Sequence, residues 1–308
     1  MISIVIPVKD GGADLARCLD GVDRQTVDES VEVVVVDSGS RDGSPELARA
    51  RGARVHEIPA RQFGHGRTRN LGVELSKGDL IVFTSQDAVA DDDRWLERLR
   101  AATRAGSDVA GAYGRQLPHP DARPPEVFFL DFLYGGHRRV QRLAPGEELT
   151  YHATLFSNVN AAIPRTILER YPFREDLTMS EDQEWSRRVL RDGFALVYEP
   201  NAVVRHSHPY TIATAFRRFF DSGVSAEHAY VEGDESRVAL RRAGRRYARE
   251  ELRWLWQSGR RRWIPYTVVY EFGKFAGLQL GLRHHRLPRR LVRRMSSDPL
   301  TDAERGER

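Results

Sequence analysis

Carboxylates stand at the ends of several short apolar runs in this chain. Asp87 closes Leu80-Ile81-Val82-Phe83-Thr84-Ser85-Gln86-Asp87, and Asp37 closes Val31-Glu32-Val33-Val34-Val35-Val36-Asp37. A third acid, Asp10, follows the run from Ile2 to Pro7. Short β-branched runs read as buried strands. In open α/β sheets ligands sit beyond the carboxyl ends of such strands. An acid placed there can hold a hard cation that neutralises a diphosphate, or accept the ring N–H of a pyrimidine. Each has a structural alternative: Asp87 as the cap of a helix beginning near Asp91, and Asp37 as an Asx turn with Ser38, Gly39 and Ser40.

Three more groups carry chemistry. In Met179-Ser180-Glu181-Asp182-Gln183-Glu184-Trp185, Ser180 and Gln183 have capping-box spacing, which places Glu181 and Asp182 in a first helical turn. The helix dipole favours acids there and is expected to depress their pKa, keeping a carboxylate ionised. His206 and His208 lie at i and i+2 on an extended segment and so face the same way. That is metal-ligand geometry, and histidine also suits diphosphate oxygens; a hydrogen-bonded structural pair is the alternative. In Phe63-Gly64-His65-Gly66-Arg67-Thr68-Arg69-Asn70-Leu71-Gly72, glycines lead into a helix whose early Arg67 and Arg69 oppose its dipole. Aimed at phosphate oxygens, which Arg can grip bidentately, they make better sense. His65 suits either a phosphate or a hydrogen-bonded core position.

The elements that must hold these groups follow a strand–helix rhythm. Strands are expected at 2–7, 31–36 and 54–58, with helices from about Ala13 and from Pro45 behind the N-cap Ser44. That alternation predicts a parallel sheet. Further on, a strand at 79–84 precedes a helix over about 92–104 and a strand at 108–116. Strands at 157–163, 195–199 and 202–205 follow, with a helix after Pro164. Residues 118–150 lack periodicity and are expected as a long functional loop. Phe128, Phe129, Phe132 and Tyr134 would either cover a ligand site or form a small apolar cluster.

Composition bounds the classes. The 308 residues are 40% hydrophobic and 30% charged, which suits a globular chain of one large or two ordinary domains. No signal-peptide pattern is read, since Lys9 and Asp10 follow the first apolar run at once. Cys18, the single cysteine, precludes an internal disulfide and fits a reducing cytoplasm; its spacing with Leu15, Leu19 and Val22 makes it core. The net charge of +4 conceals an asymmetry, with 21 Lys+Arg against 12 Asp+Glu after residue 210. That last third reads as basic helices over 213–222 and 237–257, ending in a polar, frayed tail from Ser296. A basic tail suits an anionic membrane surface, a lipid diphosphate or nucleic acid, or simply solvated helix faces. The apolar stretch 263–282 is long enough to span a bilayer, but Glu271 and Lys274 would each cost roughly 2.5–3.5 kcal/mol at its centre. A buried helix is expected there, with an interfacial helix as the alternative.

The first strand ending in Pro7, the turn Asp37-Ser38-Gly39-Ser40, Thr68-Arg69-Asn70-Leu71-Gly72 and the strand ending in Asp87 resemble family 2 glycosyltransferases. Phe63 to Asn70 together with Ser85-Gln86-Asp87-Ala88 is similar to bacterial rhamnosyltransferases that use dTDP-L-rhamnose. The resemblance covers about residues 1–210. It implies an α/β fold of the GT-A type, a mostly parallel sheet flanked by helices, with a C-terminal helical extension over 211–308. The donor half would be about 1–117 and the acceptor half 118–210.

It further implies Asp37 at the nucleobase, Asp87 on the metal side with His206 or His208 completing that site, and Asp182 as base with Glu181 orienting it or the acceptor. Pro7, Lys9, Ser38, Gly39, His65, Arg67, Arg69 and Gln86 would line the donor site, with Asn158 and Trp185 on the acceptor side. Ser85 or Gln86 replaces the first acid of the family's metal motif, so Mg²⁺ or Mn²⁺ need not be held tightly. The implied partners are a dTDP-sugar donor and a glycan or lipid-linked saccharide acceptor, with peripheral contact at the inner membrane face and no nucleic acid. Neither G-x-G-x-x-G nor G-x-x-x-x-G-K-[ST] is present, which disfavours a dinucleotide enzyme and a phosphate-loop NTPase. Donors linked to UDP or GDP remain open. So do a nucleotidyltransferase, which would want a Gly-rich Arg/Lys signature after the first strand, and a non-enzymatic basic adaptor.

Overall fold

The computed structural model of the chain describes residues 1–144, 153–229, 231 and 233–297. Strand β1 (Ile2–Val8), helix α1 (Gly12–Asp23), β2 (Val31–Asp37), α2 (Ser44–Ala50) and β3 (Arg54–Glu57) follow the expected alternation. Then come α3 (His65–Leu75), β4 (Leu80–Thr84), β5 (Val89–Ala90), α4 (Trp95–Thr103), β6 (Val109–Leu117), α5 (Pro124–Leu133) and β7 (Arg139–Gln141). Next are β8 (Asn160–Pro164), α6 (Arg165–Arg170), α7 (Glu181–Arg191) and β9 (Ala195–Arg205). Four helices follow: α8 (Ile212–Ala229), α9 (Gly233–Gln257), α10 (Ile264–Gly281) and α11 (Arg289–Met295).

The strands form one sheet in the order β3-β2-β1-β4-β8-β6-β9-β5, with β7 also on β9. Its first four strands are parallel. β8 then enters antiparallel between β4 and β6, so the sheet as a whole is mixed. Near-continuous apolar strands explain the buried parallel half. Ile2, Ile4 and Ile6 of β1 face Leu15 and Leu19 of α1 on one side, and Val5 faces Val73 of α3 on the other. α3 can lie this close because Gly72 presses on β1, where a Cβ would stand 2.3 Å from Val5 Cγ1.

Two expectations need correction. Residues 124–133 are a helix and not loop. α5 shows no periodicity because it is apolar on two sides. Leu130 and Leu133 join the sheet core. Phe128 and Phe132 pack on Tyr247 of α9, with ring centroids 5.3 and 5.1 Å away. The phenylalanines thus form the apolar cluster rather than a cover over the site. Within the rest of the expected loop, Arg139–Gln141 pair with β9 as β7, and 145–150 lie outside the described residues, as does most of the tail expected from Ser296.

Helix α10 is not buried all round. Its inner face crosses α8, and the contact depends on Gly277 and Gly281: a Cβ on them would stand 2.3 Å from Phe216 O and 2.1 Å from Phe220 O. The charges that argued against spanning turn inward: Lys274 Nζ binds Glu271 Oε1 at 2.7 Å and lies over the rings of Phe129, Phe219 and Tyr247. The outer face is exposed.

Candidate active site

β1 and β4 meet at the switch point of the sheet, where an α/β crevice is expected. Pairing of β1 with β4 stops at Val5, whereas pairing with β2 runs on to Val8 and Asp37. Pro7 lies in the stretch where the strands part. Gln86 bridges the gap by accepting from Lys9 N at 2.8 Å and donating to Lys9 O at 3.0 Å. Lys9 Nζ reaches across to donate to Gly39 O. Three strand ends are thereby tied around one opening.

Asp37 is fully buried and holds the turn after β2. Its Oδ1 accepts from Gly39 N at 2.8 Å and Ser40 N at 2.9 Å, and its Oδ2 accepts from Ser40 Oγ. This is the Asx turn, with Gly39 in the left-handed region (φ 84°). Ser38 Oγ donates to Val8 O at 2.9 Å, which closes the turn onto β1.

Asp87 caps no helix, because α4 begins only at Trp95. Instead β5 pairs antiparallel with the end of β9, Val89 opposite Arg205. Continued by two residues, that register sets Asp87 between His206 and His208. His206 Nε2 lies 3.6 Å from Asp87 Oδ1, and His208 Nδ1 lies 3.6 Å from Asp87 Oδ2. One ligand atom from each residue falls within 4.8 Å of the others, close enough for a single ion. Both histidines join Asp87, so no choice between them is needed. Burial holds His206 down to about 4 against the pull of Asp87. At neutral pH its imidazole is uncharged, the form that ligates a metal.

The acidic pair is built differently from the spacing. Ser180 is left-handed (φ 62°) and caps nothing, so there is no capping box. This costly conformation turns α7 so that its first residues point into the site. Glu181 is buried and locked: Arg69 Nη1 donates to Oε1 at 2.9 Å and Asn158 Nδ2 at 3.2 Å. Burial works to raise its pKa, but Arg69, His65 and Asn158 outweigh it and hold Glu181 below the ordinary value. Asp182 is partly exposed and accepts from Asn158 N at 3.2 Å and Gln183 N at 2.8 Å. Burial, with the Glu181 charge beside it, pushes Asp182 up to about 7. The expected dipole effect loses for Asp182, because desolvation and a neighbouring carboxylate outweigh the screened charge of a helix end.

The family model of glycosyl transferase family 2 matches residues 3–171. The chain belongs to glycosyl transferase family 2. It is 33% identical over 293 residues to the O-antigen chain rhamnosyltransferase RfbN of Salmonella typhimurium, covering 93% of this chain and 91% of that one. To the O-antigen chain rhamnosyltransferase WbaN of Salmonella anatum it is 29% identical, covering 93% and 90%. The mannosyltransferase PcManGT of Pyrobaculum calidifontis, solved with GDP-Man and Mn²⁺, superposes with a TM-score of 0.60 at 18% identity over 91% of this chain and 86% of that one. TarS 1–349 of S. aureus superposes at 0.52 with 16% identity over 76% and 68%. The fold is thus GT-A, and the protein is a glycosyltransferase.

In this glycosyltransferase several expected site residues stand elsewhere. Arg69 is spent on Glu181 and on His65 O at 3.1 Å, not aimed at a phosphate. Arg67 Nε lies 3.4 Å from Glu175 Oε2 at the rim. His65 opens α3, with Phe63 edge-on to its ring at 5.2 Å. Trp185 is wholly buried, its Nε1 donating to Tyr171 O at 3.0 Å and its ring 4.9 Å from Phe156. Three residues after Asp182 it sits deeper on the same side of α7, in the core and not on the acceptor side. Asn158 is also wholly buried and is a positioning residue for the acidic pair.

Two residues escaped sequence reasoning. Gln116, buried at the end of β6, accepts from His206 Nδ1 at 2.9 Å and donates to Tyr134 Oη at 2.7 Å and Ser157 Oγ at 2.9 Å. This leaves His206 Nε2 bare toward Asp87. Gln116→Leu is expected to weaken Mn²⁺ binding about 10–100-fold, read by calorimetry, with the fold retained. Arg218 on α8 is exposed, and after burial and the Asp87 pull its charge still helps hold down His206 and His208. No local signal marks either one, since both act across elements distant in sequence.

Proposed function

We propose that this glycosyltransferase moves L-rhamnose from dTDP-L-rhamnose, with inversion, to a hydroxyl of a glycan or lipid-linked saccharide in the cytoplasm or at the inner membrane face. The rhamnosyl group rests on near full-length similarity to two O-antigen chain rhamnosyltransferases, and dTDP on the resemblance of Phe63–Asn70 and Ser85–Ala88. The observation that carries the mechanism is the split of the acidic pair, with Glu181 locked by Arg69 and Asp182 left partly exposed with its carboxyl near 7. A base poised near the working pH is what proton abstraction from a hydroxyl needs. Asp182 takes the acceptor proton as that oxygen bonds to the anomeric carbon; the bond from that carbon to the diphosphate oxygen breaks on the opposite face, and dTDP leaves.

Asp87, His206 and His208 fit Mn²⁺ better than Mg²⁺, since two of the three ligands are imidazoles and Mg²⁺ prefers oxygen, with His206 Nε2 left bare by Gln116. Such an ion would neutralise charge on the departing diphosphate. Arg218 is the cation we assign to the same oxygens, in place of Arg67 and Arg69. Lys9, Gln86 and the Asp37–Ser40 turn line the crevice for the nucleoside.

The test is donor binding and nucleotide release with dTDP-L-rhamnose, UDP-glucose and GDP-mannose, each with and without Mn²⁺. Selective binding and release of dTDP are expected. Preference for UDP-glucose or GDP-mannose would overturn the rhamnose reading and leave the base assignment standing.

A further inference from the structure

The outer face of α10 carries no charge. Every residue of the helix that is exposed is apolar: Pro265, Val268, Val269, Phe272 and Phe275. The two valines and two phenylalanines are exposed to a large degree for such side chains, from 48% at Phe275 to 70% at Phe272. Spaced three and four apart, they form a single stripe opposite the face that packs on α8. Exposed Trp256 of α9 adjoins the start of the helix, with the Arg261 guanidinium 3.9 Å over its ring.

Arginines bracket the stripe. Arg260, Arg261 and Arg262 precede it, and Arg283, Arg286, Arg289 and Arg290 follow, all exposed. An apolar helical face between basic clusters matches a bilayer interface, with acyl chains under the stripe and anionic headgroups at both ends. No described helix is long and apolar enough to cross a membrane, and α10, about 27 Å long, would lie in the interface plane. A second copy is a poorer occupant. Because both ends of α10 are basic, parallel or antiparallel pairing of two copies sets arginine against arginine.

We propose that α10 and its flanking arginines dock this glycosyltransferase on an anionic lipid bilayer. The surface lies close to the catalytic half, since Arg123 Nη1 at the start of α5 donates to Tyr266 Oη of α10 at 2.9 Å. It goes beyond the donor and mechanism above and does not depend on them.

The test is co-sedimentation of the full chain with phosphatidylglycerol/phosphatidylcholine vesicles and with pure phosphatidylcholine vesicles, for wild type, Phe272→Glu and Arg260→Glu/Arg262→Glu. Wild type is expected on the anionic vesicles, and each variant should bind about tenfold more weakly. Unchanged circular dichroism and donor binding would show that Phe272→Glu is folded, so a lost vesicle contact is not a lost enzyme. Wild type remaining in the supernatant, or Phe272→Glu binding as tightly as wild type, would overturn the proposal. A wild-type dimer that Phe272→Glu converts to monomer, without vesicle binding, would assign the face to a second copy and overturn it as well.

Discussion

Asp182→Asn is expected to lower turnover about 10²–10⁴-fold while leaving donor binding intact, the range typical for loss of a general base. The substitution keeps the shape and an acceptor oxygen for one of the two amides, Asn158 N on Oδ2 or Gln183 N on Oδ1, and gives up the other hydrogen bond. What disappears is the lone pair that takes the acceptor proton. In the wild type kcat/KM should rise with pH through about 7, because only the deprotonated form of Asp182 accepts a proton. The variant should lose that limb. Stability should move the other way. Since Asp182 is raised in the folded state, ionising it costs stability above the pKa of the unfolded chain, so Asp182→Asn should melt no lower than wild type at pH 8. A pH–rate profile with the same limb in both proteins would remove Asp182 as the base.

Arg69→Leu is expected to destabilise the fold by about 3–5 kcal/mol at neutral pH, as removing one partner of a buried ion pair does. Both partners are shielded, with side chains 8% and 5% exposed. Without Arg69, burial would dominate at Glu181 and raise its pKa. A carboxyl raised in the folded state costs stability only above its unfolded pKa. The deficit should therefore shrink toward pH 4 and grow toward pH 8. Adding Glu181→Gln should recover much of the loss, because no buried charge then remains. Urea melts of the single and double variants at both pH values measure this. A deficit independent of pH would mean that Arg69 acts through packing alone.

How much of this could be read from residue order depends on how far each cause reaches along the chain. Strand ends at Asp37 and Asp87 and the parallel βαβ start were legible, because apolar runs, N-caps and turn residues act within a few positions. The pairing of His206 with His208 was legible for the same reason, as i and i+2 on an extended segment share a face.

Their meeting with Asp87 was anticipated only through the family resemblance, because physically it follows from the β5–β9 register between segments more than 100 residues apart. Long-range partners also decided the residues that sequence placed wrongly. Arg69 looked free for phosphate until α7 brought Glu181 to it. Trp185 was expected on the acceptor side until its depth in the core was fixed by Phe156 and Tyr171. Asp182 was expected ionised from its place in a first turn, but burial and Glu181 together set its pKa. α10 could have faced core or solvent, and Gly277 and Gly281 settled it by drawing one face onto α8. Local chemistry names the groups, and packing across the chain decides what each one touches.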